Sequence, residues 1–368
     1  MDGHVEGTWT ELEQLRAREE LDGEQERNQV IPAAAAQRPT KIVALGGGTG
    51  LPTVLKGLAR KADPRPGEPG IEITAVVAMA DDGGSSGRLR RTRGMLPPGD
   101  VRNCLVALAG GKSALSELFQ FRFSGKKGLA GHAVGNLLIA ALTELKGDFL
   151  EAVRVSGRML GAKGQVLPST LAPVQLVAHL DDNSRLVGER FLSRAAGRVK
   201  RVSLYPSLPP PVEGLIDAIH EADLITLGPG SLYSSVMPNL LVDGVAQALQ
   251  QTRALKVLVA NLMTQPGETE GMNGTEHVKA VIDHVGPVVD VVLVNATAPS
   301  DELLEQYGKN GSVPVSFDRR KLLDLGVIPE RARTATLRRS RSGHRPRPGH
   351  RSRKKGQVTV PCDPPSNI

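Results

Sequence analysis

The chain has 368 residues, enough for one large or two ordinary domains, and with aromatics at only 3% its core has to be built from Val, Leu, Ile and Ala. The net charge of +7 is misleading: eleven of the 46 Lys and Arg lie between Arg331 and Lys355, and of the 39 Asp and Glu only Asp363 lies beyond Glu330, leaving 35 bases against 38 acids. A slightly acidic body argues against nucleic-acid binding by the folded domain; two cysteines exclude a disulfide framework and fit a reducing cytoplasm; and no apolar run approaches the roughly 20 residues of a membrane span.

Residues 1–39 read as a flexible leader, although Trp9, Leu12 and Leu15 are spaced for a short amphipathic helix. Order is expected from Lys41. Residues 42–45 form a buried strand, followed by the loop Gly46-Gly47-Gly48-Thr49-Gly50 and a helix over 51–59. A second strand over 71–80 ends in Asp81-Asp82-Gly83-Gly84-Ser85-Ser86-Gly87. Asp100 reads as the N-cap of a helix through 101–109. Further helices fit 113–121, 132–145 and 148–160.

In the middle, 174–180 and 185–189 flank Asp181-Asp182-Asn183-Ser184, a hairpin signal, and 199–204 adds a strand. The pattern of strand, polar loop and helix then resumes. Strands fall at 223–227, 255–260 and 288–294, with helices near 239–250, 276–284 and 301–307. Strands alternating with helices imply an α/β fold with a Rossmann-like, mostly parallel sheet flanked by helices, here with a small β-hairpin and helical insertion. The folded domain spans 40–330, and the basic stretch 331–368 reads as a disordered tail.

The five most clearly marked strands end in loops at 46–50, 81–87, 228–235, 261–269 and 295–299. In an open parallel sheet these share one edge, where ligands bind. Glycines in 46–50 let backbone approach a phosphate, and free N–H groups at a helix start favour an anion. No Lys-Ser/Thr follows, so this is not a Walker A loop. Asp81 or Asp82 could hold a ribose hydroxyl, or both could hold Mg2+ against a diphosphate. Gly230 and Ser231 offer a second anion nest. Asn261, Thr264 and Gln265 bring groups able to read a base or sugar edge. His132 and Asn136, four apart, share a helix face. His277 and His284 are expected to face solvent.

Six motifs occur in order: Gly-Gly-Gly-Thr-Gly-Leu at 46–51, Ala-Asp-Asp-Gly-Gly-Ser-Ser-Gly at 80–87, Pro-Pro-Gly-Asp-Val-Arg at 97–102, Gly-His-Ala-Val-Gly-Asn at 131–136, Leu-Gly-Pro-Gly-Ser-Leu-Tyr at 227–233 and Asn-Leu-Met-Thr-Gln-Pro-Gly-Glu-Thr at 261–269. Together they closely resemble the YvcK (GlmR) family of gluconeogenesis factors, the bacterial branch of the CofD-like superfamily, over residues 40–329. The resemblance implies a cytoplasmic protein that binds UDP-sugars, UDP-N-acetylglucosamine above all. It implies support of cell-wall precursor supply and cell shape during gluconeogenic growth, with glucosamine-6-phosphate synthase as a partner. A homo-oligomer is compatible with it.

It further implies Gly46, Gly47, Gly48, Thr49 and Gly50 as the phosphate loop, and Asp81, Asp82, Ser85 and Ser86 as cleft lining. Asn136, Ser231, Asn261, Thr264 and Gln265 would surround the nucleotide, and Tyr307 matches a late family tyrosine near the ligand. Family members commonly close with an Arg-His-Asp segment and an apolar helix; here the basic tail stands in that place, as a frameshifted or divergent carboxyl end would produce.

The expected role is ligand-binding regulation rather than turnover. Two rivals remain at this level. A CofD-like, Mg2+-dependent phospholactyl or phosphoryl-group transferase would rely on Asp81 and Asp82. A NAD-dependent oxidoreductase would need a Gly-x-Gly-x-x-Gly turn, whereas the glycines here fall at 46, 47, 48 and 50.

Overall fold

The computed structural model describes residues 38–63, 69–110, 113–194, 197–297 and 299–332. Residues 1–37 with the Trp9 helix, residues 333–368, and Gly111, Lys112 and Ala298 lie outside these residues, whereas Arg331 and Ala332, read as the start of the basic tail, belong to the last strand. Seven parallel strands form the main sheet: β1 (Thr40–Gly46), β2 (Ile71–Val77), β3 (Gln165–Pro168), β7 (Leu224–Leu227), β8 (Leu255–Val259), β9 (Val291–Asn295) and β10 (Ile328–Ala332). Their spatial order is β10-β9-β8-β7-β1-β2-β3. The remaining strands, β4 (Gln175–Leu180), β5 (Arg185–Val187) and β6 (Val199–Tyr205), make a separate antiparallel sheet in the order β5-β4-β6.

The helices are α1 (Gly50–Ala59), α2 (Gly84–Arg93), α3 (Gly99–Leu108), α4 (Ala114–Gln120), α5 (Val134–Lys146), α6 (Phe149–Leu160), α7 (Leu215–Glu221), α8 (Met237–Leu240), α9 (Val245–Gln251), α10 (Gly274–Val285), α11 (Asp301–Gly308) and α12 (Arg319–Asp324). Ahead of α8 runs one π-helical turn, Leu232–Val236.

The expected α/β architecture with its hairpin insertion is the one observed. The core follows from composition: apart from Phe119, the largest fully buried side chains are Leu, Ile and Met. The central strand β1 is buried from Ile42 to its end, as a strand covered on both faces must be. The outward order β1, β2, β3 uses one side of β1, and the chain then crosses to β7 on the other side. Here the direction of winding reverses, and in open parallel sheets the carboxyl ends of the strands at such a point, here β1 and β7, are where ligands bind.

Several local expectations are corrected. Asp100 does not cap α3; Pro98 holds the cap position, and Asp100 lies in the first turn with its carboxylate turned to another loop. The loop read at 81–87 ends early, because α2 begins at Gly84. The single helix expected near 239–250 is two, α8 and α9, separated at Gly244, whose φ is +72°, and a π turn precedes them. Strands β3 and β10 and helices α7 and α12 carried no sequence signal strong enough to place them. His132 precedes α5 rather than starting it.

His277 and His284 do not face solvent. His277 is buried, with Nδ1 against the Asn273 carbonyl. His284 Nε2 accepts from the Val202 N–H at 3.0 Å, so Nδ1 carries the proton and donates to the Ala280 carbonyl at 2.6 Å. That pair of bonds ties α10 to the free edge of β6.

One buried amide holds the crevice together. Asn239 is completely buried, and its Nδ2 donates to the carbonyls of Gly46 (3.0 Å) and Ser235 (2.8 Å). Replacing it with Ala leaves both carbonyls without that donor. Asn239→Ala is therefore expected to lower the free energy of unfolding by about 2 kcal/mol, read as a shift in the urea midpoint at unchanged m-value.

Candidate functional site

The glycine loop leaves β1 and enters α1 against the loop that follows β7. A Cβ at Gly50 would stand 2.5 Å from the Pro229 carbonyl oxygen, so no larger residue fits without parting the two loops. Gly48 has φ +61°, a left-handed conformation that glycine adopts without steric cost. Ser235, on the π turn, lies against Gly47, Gly48 and Gly230. The N–H groups of Thr49 and Gly50, at the start of α1, have no hydrogen-bond partner among the described residues.

The loop already holds an anion-type group. Asp100, projecting from α3, places Oδ2 2.5 Å from the Gly48 N–H. Burial pushes this carboxyl up to about 6; the Gly48 hydrogen bond opposes the shift and Asp81 adds to it. Sequence reasoning missed this role, because an acid before an apolar helical run has the same pattern as an N-cap.

Around Asp100 stand three more carboxyls. Asp81 is raised by burial while accepting from the Gly83 N–H at 2.8 Å and from Ser86. Glu268, in the loop after β8, is raised by burial while accepting from Ser234 Oγ at 3.0 Å. Glu189 comes from the insertion, at the start of the 3-10 turn Glu189–Arg194. Burial, then the fields of Asp81, Asp100, Glu268 and Asp82, push it to about 9. A group of carboxylates would repel phosphate; of the four, Glu189 at about 9 is the one that keeps its proton at neutral pH, and the upward shift of the others acts in the same direction.

The other expected residues divide into groups. Ser85, His132 and Asn136 come together: Asn136 Nδ2 donates to Ser85 Oγ at 3.0 Å, and Ser85 Oγ lies 3.0 Å from His132 Nδ1. The Ser85 hydroxyl can then donate to the ring, which burial, Arg88 and Arg122 keep towards the neutral form. Ser231, Gln265 and Asn261 form a second chain, with Gln265 Nε2 donating to Ser231 Oγ at 2.6 Å and Asn261 Nδ2 to Gln265 Oε1 at 3.4 Å. Ser86 is buried and accepts from the Gly99 N–H at 3.1 Å, which joins α2 to α3. Thr264 is buried and exchanges hydrogen bonds with Val313. Tyr307 lies half-exposed on α11.

Asp82 turns to the insertion. Its Oδ1 accepts from the Arg190 N–H at 3.1 Å, and its Oδ2 lies 3.9 Å from Arg190 Nε. Among the described residues no three or more His, Cys, Asp or Glu side chains group closely enough to hold a metal ion. In this arrangement Asp82 is engaged by Arg190, and Asp81 by Gly83 and Ser86.

A parallel, doubly wound sheet with a glycine loop at its switch point defines a Rossmann-like α/β protein with a ligand crevice. The chain belongs to the CofD family: the family model described as 2-phospho-L-lactate transferase CofD matches residues 42–334. Within it the chain falls in the YvcK branch, that of the gluconeogenesis factors. It is 44% identical over 287 residues to the gluconeogenesis factor of Halalkalibacterium halodurans, covering 78% of this chain and 87% of that protein. A relative from a Nostoc species is 46% identical over 291 residues but longer, so that the match spans 78% of this chain and only 62% of that relative. The crystal structure of a UPF0052 family protein from Bacillus halodurans is similar at a TM-score of 0.76 and 42% identity, over 80% of this chain and 93% of that one.

The Asp100 carboxyl has a consequence for stability. Its folded value of about 6 lies above the ordinary 3.8, so folding takes up a proton between these values. Its contribution is fully present below about pH 4 and is lost as pH rises through about 6. Asp100→Asn keeps an acceptor for Gly48 and cannot ionise. Its unfolding free energy is expected to exceed that of the parent by roughly 1–3 kcal/mol above pH 7, and to converge with it near pH 4. Urea titrations at the two pH values check this.

Proposed function

We propose that the protein binds a UDP-sugar, UDP-N-acetylglucosamine first among them, in the crevice between β1 and β7, and acts as a ligand-sensing regulator. The observation that carries this reading is the Gly48–Asp100 contact. A glycine loop at a switch point is built for an oxyanion, and this one already holds a carboxylate oxygen at 2.5 Å. The diphosphate would take the N–H groups of Thr49 and Gly50 beside that oxygen. The polar chain of Ser231, Gln265 and Asn261 supplies donors and acceptors for the uracil or ribose edge, and Ser85, His132 and Asn136 supply them for the sugar.

The likeness to gluconeogenesis factors supports the physiological side of this reading. A cytoplasmic sensor of a cell-wall precursor would serve cell shape and precursor supply during gluconeogenic growth, with glucosamine-6-phosphate synthase as its output. No helix among the described residues is long and apolar enough to cross a membrane.

Isothermal calorimetry of the full chain with UDP-N-acetylglucosamine, with and without Mg2+, is the test. One site per chain is expected; absence of heat at millimolar ligand overturns the reading. Asn136→Ala removes the donor that orients Ser85 and is expected to weaken binding roughly tenfold. Asp100→Asn removes a negative charge beside the phosphates. It should tighten binding at pH 8 and flatten the dependence of affinity on pH between 5 and 8; equal affinity in parent and variant at pH 8 counts against a phosphate beside Gly48.

A further inference from the structure

A second hollow is lined by none of residues 46–50 or by Asp81, Asp82 or Ser85. Its volume is about 920 Å³, in the range of small-molecule sites. One side is the start of β6 from the insertion, the other is α10, and the end wall is the segment containing Gly267 and Met272. Met272 and Ala280, with the edges of the buried Tyr233 and Val199, give it an apolar lining.

The charges around it are unequal once internal bonds are assigned. Glu276 is held by the Asn273 N–H as the capping box of α10. Asp283 pairs with Lys279 at 2.7 Å. Asp181 accepts from the Arg198 N–H at 3.1 Å. Glu268 accepts from Ser234, and burial favours its neutral form. Of the acids, Glu270 alone stands exposed at the rim without a bond among the described residues. The guanidinium of Arg198 and the ammonium of Lys200 pair with no carboxylate among the described residues. Arg198 also acts on the Tyr233 hydroxyl, its charge opposing the rise that burial causes there.

We propose that this hollow is a second ligand site, taking a small organic anion with a flat apolar body: the apolar body against Met272 and Ala280, the anionic group at Arg198 and Lys200. A carboxylate, sulfonate or phosphate suits the two cations, and a guanidinium can bind any of the three in bidentate fashion. The site borders the crevice through one turn, since Tyr233 faces the hollow and Ser235, two residues on, touches the glycine loop.

The probe is 1-anilinonaphthalene-8-sulfonate, an aromatic sulfonate whose fluorescence rises on leaving water, titrated into the full chain. Saturable binding of one molecule per chain is expected. Arg198→Ala combined with Lys200→Ala changes two exposed side chains and is expected to weaken binding at least fivefold at an unchanged unfolding midpoint. Ala280→Trp fills the hollow and should abolish binding. Ser85→Ala, in the other crevice, should leave it unchanged. Parent-like titrations in both cavity variants overturn the proposal, as does a Ser85→Ala variant that loses the probe. The outcome is independent of the nucleotide reading: absence of heat with UDP-N-acetylglucosamine leaves the dye titration standing, and displacement of the dye by that nucleotide would merge the two sites and overturn this one.

Discussion

Strands β1 and β7 lie side by side, yet the chain leaves them on opposite sides of the sheet. That reversal cannot be bridged by a packed helix, so backbone has to meet backbone at the carboxyl edge. The meeting is tight: Gly50 stands against the Pro229 carbonyl, and Ser235 stands against Gly47 and Gly48. Such contact requires small residues and leaves main-chain N–H groups facing a narrow space. Asn239 then fixes the separation by bonding carbonyls from both sides of the crevice. The glycine content of these loops, the buried amide and the polar walls all follow from one topological constraint.

Electrostatics acts within that frame. Asp81, Asp100, Glu189 and Glu268 come from four separate segments, and burial raises each of them. Their proximity is affordable to the fold only because protons or a ligand's donors relieve it. The insertion contributes through Glu189, and Asp82 fixes its approach by holding the Arg190 backbone. The small sheet is thereby part of the crevice, not an appendage of the core.

How much of this was legible before the structure differs from residue to residue. Strands β7, β8 and β9 were legible because buried parallel strands are short continuous apolar runs, each followed by a polar loop. The convergence of the loops followed from that parallelism. Strand β3 was not legible: it has four residues and ends at Pro168, too little for a periodic signal. Asp100 was noticed and misassigned, because local pattern favoured a cap while tertiary contact placed its carboxylate in the glycine loop. His284 was misjudged for a similar reason; nothing local says that a helix histidine will close the edge of a distant strand. Glu189 sat at the end of a hairpin, where an acid ordinarily meets water, and its burial depends on how the insertion folds back.

The π turn at Leu232–Val236 sets a limit on how such a chain can vary. Its extra residue is visible in the Val236 N–H bonded to the Ser231 carbonyl, five positions back. Three successive side chains point to three places: Tyr233 to the hollow, Ser234 to Glu268 and Ser235 to the glycine loop. Removing one residue would restore α-helical spacing and turn everything after it by about 100° about the helix axis. Substitutions in this stretch can be absorbed one at a time, but a change in its length cannot, so sequence drift here is confined to side-chain identity.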